Sequence, residues 1–193
     1  MSKEKRTPPS VDQLKRELRR ERYRKSYSET LSSTLFYLVV VAALAVLIAT
    51  ILLPVFQLHG NSMAPNLQDG EIVVSVRTGK PEQGDLIAFY YNNKVLVKRV
   101  IAAPGQWVEL DEDGNVYVNG ELLNEPYLQE KTLGDCEIEM PYQVPDGRWF
   151  VMGDARATSV DSRNKAIGCV SEEQIVGRLV FRIWPLEAIG RLD

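Results

Sequence analysis

The sequence predicts a mainly β protein that follows one N-terminal transmembrane helix. Residues 35–56 contain no Asp, Glu, Lys, Arg or His. A helix needs about 20 apolar residues to cross the hydrocarbon core, so this segment is long enough to span a membrane. Beyond it, short β-branched and aromatic runs alternate with turn residues, which is typical of antiparallel sheets. We therefore predict a basic segment at residues 1–34, a transmembrane helix at 35–56 and one β-rich domain at 57–193.

The apolar segment has two other interpretations, a buried core helix and a cleavable signal peptide. A core helix is usually shorter and carries a polar stripe, which this segment lacks. A signal peptide has an apolar core of roughly 7–15 residues after a short basic start. Here the apolar segment is longer and 34 residues precede it, so we predict a permanent anchor.

The charges predict the orientation of the anchor. Residues 1–34 contain 10 Lys and Arg against 5 Asp and Glu, whereas residues 57–193 contain 13 against 21. Because Lys and Arg near a span stay inside, we place the N-terminus in the cytoplasm and the β-rich domain outside. We assign the basic cluster to anionic lipid head groups and predict no nucleic-acid partner. The basic residues closest to the span are Arg19, Arg20, Arg22, Arg24 and Lys25.

Short runs of strand-forming residues define the predicted sheet. Strands are predicted at residues 71–76, 85–91, 95–101, 107–110, 115–118, 148–152 and 177–184, with a turn at 78–81. Asp-Glu-Asp-Gly at 111–114 predicts a hairpin turn, and residues 171–174 predict a capping turn of a brief helix. Before the span, we expect a disordered tail at residues 1–10 and a charged surface helix at 11–25.

The two cysteines, Cys136 and Cys169, both lie in the predicted outer domain. That compartment permits a disulfide, but two unpaired thiols fit the sequence equally well, and both alternatives stay open. The sequence has neither a CxxC motif nor a His/Cys cluster, so we predict no metal and no cofactor. We expect a monomer.

Ser62 is the candidate nucleophile, and it needs a base because a serine hydroxyl is a poor nucleophile near neutral pH. Its position six residues after Phe56 keeps it close to the outer membrane face, since six residues reach at most about 20 Å. The single histidine, His59, has no obvious orienting carboxylate beside it, and we expect it to be a rim residue near the membrane.

Lys98 is the candidate base. An unperturbed lysine has a pKa of about 10.4, but burial among apolar side chains can lower it by up to about 3–5 pH units. In a strand, Leu96, Lys98 and Val100 share one face, and Arg99 points to the other. This alternation predicts an apolar environment for Lys98.

Three segments together resemble the signatures of bacterial type I signal peptidases. Residues 60–67 resemble the serine box of that family, residues 98–105 its lysine box and residues 153–163 its third signature. They occur in the family's order after an N-terminal anchor, and the resemblance covers roughly residues 35–185. It implies a mostly antiparallel β catalytic domain of the signal peptidase type.

The resemblance also implies roles for individual residues. Ser62 would be the nucleophile and Lys98 the general base, and Ser159 would hydrogen-bond the lysine amine and orient it. Asp161 and Arg163 would form a supporting ion pair. The S1 and S3 pockets, which are implied to be shallow, would be lined by Phe56, Leu58, Leu67 and Val97.

Three positions depart from the usual signatures. Gly60 stands where some members supply a hydroxyl to the oxyanion, which leaves the Ser62 backbone N–H as the donor that we can name. Ala155 stands where asparagine is usual, and Asn66 where threonine is common. None of these changes removes a group that proton transfer requires.

The implied function is a membrane-anchored serine endopeptidase that cleaves N-terminal signal peptides from secreted preproteins. Its partners would be signal peptides and the lipid bilayer, and its location the cell membrane, with a single span. Two alternatives remain at this stage. One is a self-cleaving repressor-type Ser/Lys peptidase, although such proteins are soluble and carry a DNA-binding domain. The other is a catalytically silent membrane-anchored module of the same fold.

Overall fold

A computed structural model describes residues 10–77 and 79–192. The predicted disordered tail therefore lies outside the described residues apart from Ser10, and so does Thr78 of the predicted turn. The chain divides into two compact units, Met1–Thr50 and Ile51–Asp193.

One helix dominates the first unit. Helix α1 (Val11–Leu52) is continuous over 42 residues, so the predicted surface helix and the predicted span belong to a single element. By length and composition it could cross a membrane. The helix itself is shorter at this end than the predicted residue 56, because α1 ends at Leu52. Pro54 explains this end, since proline lacks an N–H donor and disfavours helical backbone in the residue before it.

The second unit is built from short strands. They are β1 (Val55–Gln57), β2 (Ile72–Val76), β3 (Leu86–Tyr91), β4 (Lys94–Ala102), β5 (Trp107–Leu110), β6 (Val116–Val118), β7 (Glu121–Leu122), β8 (Tyr142–Gln143), β9 (Arg148–Met152), β10 (Val170–Ser171), β11 (Ile175–Trp184) and β12 (Gly190–Arg191). All seven predicted strands occur, with bounds within two residues of the prediction. The predicted brief helix is a 3₁₀ turn, Glu172–Gln174, with the expected capping box.

The strands form two antiparallel sheets. The larger follows the order β1-β2-β11-β3-β4-β9-β10, with β12 beside β11, and the smaller follows β7-β6-β5-β8. Every pairing between the described strands is antiparallel. The predicted fold class, mainly β with antiparallel pairing, is confirmed. The predicted turn at 111–114 connects β5 to β6.

Strand β4 lies inside the larger sheet, between β3 and β9, and its residues pack into different apolar clusters. Val100 packs with Ile87 and Phe89, whereas Ile101 packs with residues of the smaller sheet. A third cluster contains Met63 and Leu67, from the loop between β1 and β2. The segment that carries Ser62 is therefore anchored in the core.

Candidate active site

The loop between β1 and β2, which we call the serine loop (residues 58–71), is held by its own apolar side chains. Met63 and Leu67 are 4% and 1% exposed, and the Leu67 N–H donates to the Met63 carbonyl at 2.9 Å. Ser62, between these anchors and the surface, is half-buried. Before it, the Gly60 N–H donates to the Asp69 carboxylate at 2.7 Å. The position of Ser62 is thus fixed on both sides.

Lys98 is buried in the middle of β4. Its side chain is 3% exposed, and in register it lies opposite Ile87, which is fully buried. The amine Nζ donates to Ser159 Oγ at 2.9 Å. Burial lowers the pKa of Lys98 to about 8, against the opposing effect of the negative charge on Asp161. At pH 7 about a tenth of the amines are then neutral, far more than for an exposed lysine.

The segment after β9, which we call the signature segment (residues 153–163), supplies Ser159 and is fixed by a buried ion pair. The Asp161 carboxylate and the Arg163 guanidinium lie 2.8 Å apart, and neither side chain is exposed. Asp161 also accepts the Gly153 N–H at 2.9 Å. Burial raises the pKa of Asp161, but the hydrogen bond and charge of Arg163 outweigh it, so the pKa lies below its ordinary value.

Gly153 brings the two serines together. A Cβ atom built on Gly153 would collide with the Ser159 hydroxyl and would lie 2.5 Å from the Ser62 carbonyl oxygen. That carbonyl also accepts the Ala155 N–H at 3.1 Å. Because Gly153 has no side chain, the Ser62 carbonyl and the Ser159 hydroxyl can both lie close to it. The Lys98 amine is near the same place because it is hydrogen-bonded to Ser159.

An apolar cleft of about 100 Å³ opens beside Ser62. All four residues that the resemblance implies for substrate binding line it together: Phe56, Leu58, Leu67 and Val97. A cleft of this size with aliphatic and aromatic walls suits a small apolar side chain.

His59 lies at the edge of this cleft with its side chain 79% exposed. The nearest carboxylate contact is with Asp69, whose Oδ1 lies 3.8 Å from His59 Nδ1. This distance exceeds a hydrogen bond, and Asp69 is already bound by the Gly60 N–H. The contact does not orient the imidazole towards Ser62.

Comparison with known proteins identifies the family. The family model described as signal peptidase, peptidase S26, matches residues 31–184. The chain belongs to the signal peptidase family. As a family member it is a serine peptidase, and the resemblance carried by its three signatures is confirmed.

Individual relatives have moderate sequence identity. Signal peptidase I of Bacillus licheniformis is 34% identical over 172 residues, which cover 81% of this chain and 90% of the relative. Signal peptidase IB of Staphylococcus aureus (strain COL) is 39% identical over 150 residues, covering 67% and 77%. A crystal structure of a signal peptidase I from Enterococcus faecalis V583 is 35% identical, with a TM-score of 0.43, and covers 52% of this chain and 97% of that one.

An ion pair that was not predicted from the sequence links two of the signal peptidase signatures. Arg99, expected to point away from the site, is 3% exposed and contacts Asp154 at 2.8 Å. Its guanidinium also lies 4.0 Å from the ring centre of Tyr127. Arg99 belongs to the second signature and Asp154 to the third. Opposite charges at these two signature positions are the feature from which the ion pair could have been predicted.

Two of the three residues that depart from the usual signatures, Asn66 and Ala155, make hydrogen bonds within the site. The Asn66 side-chain amide donates to the Asp154 carboxylate and to the Tyr127 carbonyl, each at 2.8 Å. Ala155 uses its backbone N–H, rather than a side chain, to hold the Ser62 carbonyl. Asn66 and the Ala155 backbone therefore both connect the serine loop to the signature segment.

A second missed pair is Arg156 with Glu125, and both of its side chains are buried. No sequence pattern singled out Glu125. Cys136 and Cys169 are free thiols, half-buried and buried, so the disulfide alternative is not adopted. Within residues 10–77 and 79–192, no group of three or more His, Cys, Asp and Glu side chains could hold a metal ion.

Proposed function

We propose that this protein is a membrane-anchored endopeptidase that removes signal peptides from exported preproteins with a Ser62/Lys98 dyad. The observation that carries the proposal is the buried Lys98 amine, bonded to Ser159 in the segment that also holds the Ser62 backbone. Burial of a lysine in that position favours the neutral amine, which is the form that can accept a proton.

The proposed chemistry begins with a neutral Lys98 that accepts the Ser62 proton as the hydroxyl attacks the scissile carbonyl. The Ser62 backbone N–H stabilises the oxyanion of the tetrahedral intermediate. Lys98 then gives the proton to the leaving amine, and an acyl-enzyme remains. A water activated by the same amine hydrolyses this ester and frees Ser62. Ser159 keeps the amine oriented through both steps.

The proposed substrate follows from the cleft and from the relatives, which are named signal peptidases. A secretory signal peptide ends in small residues of the Ala-x-Ala type directly before the cleaved bond. The cleft beside Ser62, with its four apolar walls, would accept such side chains. We assign Phe56, Leu58, Leu67 and Val97 to this recognition.

Membrane anchoring by α1 is the remaining part of the proposal. The helix is long and apolar enough to span the bilayer, and the basic residues before its apolar part favour a cytoplasmic N-terminus. Ser62 follows Leu52, the last residue of α1, by ten positions, a reach of at most about 35 Å. The serine would therefore act near the outer membrane face, where signal peptides end.

The direct test uses the full chain in detergent micelles and a preprotein with an Ala-x-Ala site. A matched preprotein with leucine at the residue before the cleaved bond serves as control. We expect cleavage of the first after its small residue, identified by the mass of the product, and little cleavage of the second. If the protein cleaves itself but not the preprotein, the result would favour the repressor-type peptidase. If it cleaves neither, the result would favour the silent module.

The pH dependence tests the identity of the base. Because a protonated amine cannot accept a proton, kcat/KM should rise about tenfold per pH unit below the Lys98 pKa of about 8 and level off above it. Initial rates from about pH 6 to pH 10, with a substrate that does not titrate in this range, measure the profile. An inflection near pH 6.5 would indicate histidine, and a flat profile would contradict a titrating base.

A further inference from the structure

A second cavity borders the serine loop. Its volume is about 260 Å³. Ala64 and Pro65, just after Ser62, form one wall, and Ala155 and Thr158 of the signature segment form another. Gln129 and Glu130 contribute to the far side. Neither the catalytic dyad nor the apolar cleft uses this space.

Both cavities border the serine loop close to Ser62. Ser62 itself lines the apolar cleft. Ala155, which lines the second cavity, donates its N–H to the Ser62 carbonyl at 3.1 Å. A polypeptide whose carbonyl is attacked by Ser62 must continue in both directions from the scissile bond. If the apolar cleft holds the residues before that bond, the second cavity, which begins two residues after Ser62 in the same loop, is a neighbouring space for those after it.

The charges around the second cavity give it a chemical preference. Asp154 is buried and paired with Arg99, and Arg156 is buried and paired with Glu125. These two lining residues are therefore neutralised within the protein. Glu130, in contrast, is exposed. The adjacent Lys131 donates its amine to the Asn115 side chain at 3.0 Å. Among the described lining residues, Glu130 therefore presents the accessible charge, and it is negative.

We propose that this cavity binds the first residues of the released chain and that Glu130 favours a lysine or arginine there. The inference rests on the proposed function, because it concerns the other half of the same substrate. The favourable contact forms in an exposed position, so the expected preference is modest, about three- to fivefold in kcat/KM at low salt. It should shrink as salt is added, since exposed charges are screened.

The test uses the full chain in uncharged detergent and two preproteins that are identical up to the cleaved bond. They differ at the second residue after it, which is lysine in one and glutamate in the other. Wild type should cleave the lysine substrate about three- to fivefold faster in kcat/KM. Glu130→Gln should abolish this difference, and Glu130→Lys should reverse it.

The matched control is Glu121→Lys, which makes the same charge change at an exposed glutamate on β7 and should leave the wild-type preference intact. Equal cleavage of both substrates by wild type, or an unchanged preference in Glu130→Lys, would overturn the inference and leave the proposed function standing. Failure to cleave either substrate would overturn both. An equal shift in Glu121→Lys would show a general charge effect and also overturn it.

Discussion

Ser62→Ala and Lys98→Met are each expected to reduce kcat/KM for preprotein cleavage by about 10³-fold or more. Alanine removes the atom that forms the acyl bond, and methionine fills the space of Lys98 without a group that accepts a proton. General-base catalysis alone contributes about 10²–10⁴-fold. Because the two residues act as a unit, the double variant should be no slower than the slower single variant.

The matched control for the base is Lys94→Met, which removes an exposed lysine from the same strand. It should keep the wild-type rate. Circular dichroism of all variants checks that the sheets are formed. The rate is the amount of product formed with time, with the product identified by its mass. An active Lys98→Met enzyme together with an inactive His59→Ala enzyme would contradict the lysine base and indicate the imidazole.

Asp161→Ala is expected to lower the free energy of unfolding by about 3–5 kcal/mol. The change leaves the Arg163 guanidinium buried beside no carboxylate, and an uncompensated buried charge is far more costly than a lost surface pair. It also removes the acceptor of the Gly153 N–H. Urea unfolding of the detergent-solubilised chain, followed through the buried Trp149, measures the loss.

Arg178→Met provides the matched comparison, because Arg178 contacts Asp85 at 3.3 Å with its side chain 42% exposed. Breaking this pair should cost at most about 1 kcal/mol. The double variant Asp161→Leu/Arg163→Met should be more stable than Asp161→Ala, since it removes both charges. Equal, small losses in Asp161→Ala and Arg178→Met would show that the buried pair does not fix the signature segment.

Much of the fold could be predicted from sequence because its longer strands have strong local patterns. The strands that were missed, β1, β7, β8, β10 and β12, have two or three residues each, which is too short for a period of two to be detected. The end of the N-terminal helix was misplaced because the apolar composition continues through Pro54 while the helical backbone does not. Composition therefore identified the helix but did not determine its boundary.

The candidate site was predictable where a signature or a strand face carried the signal. Alternation along β4 predicted apolar surroundings for Lys98, which is buried but also lies close to polar and charged groups of the signature segment. The alternation could not reveal that the opposite face is also covered. That face is buried, so Arg99 lies inside the protein with Asp154 as its partner. Glu125, 31 positions before its partner Arg156, becomes recognisable only when the chain is folded.

The position of β11 has a consequence for synthesis of the enzyme. In the larger sheet, β11 lies between β2, which follows the serine loop, and β3, which forms a hairpin with the lysine strand β4. A nascent chain that ends before residue 175 lacks β11, the strand that joins the β1–β2 pair to the β3–β4 hairpin. The serine loop and β4, which carries Lys98, are then not joined by β11 within one sheet, so we expect cleavage activity only from chains that extend beyond β11.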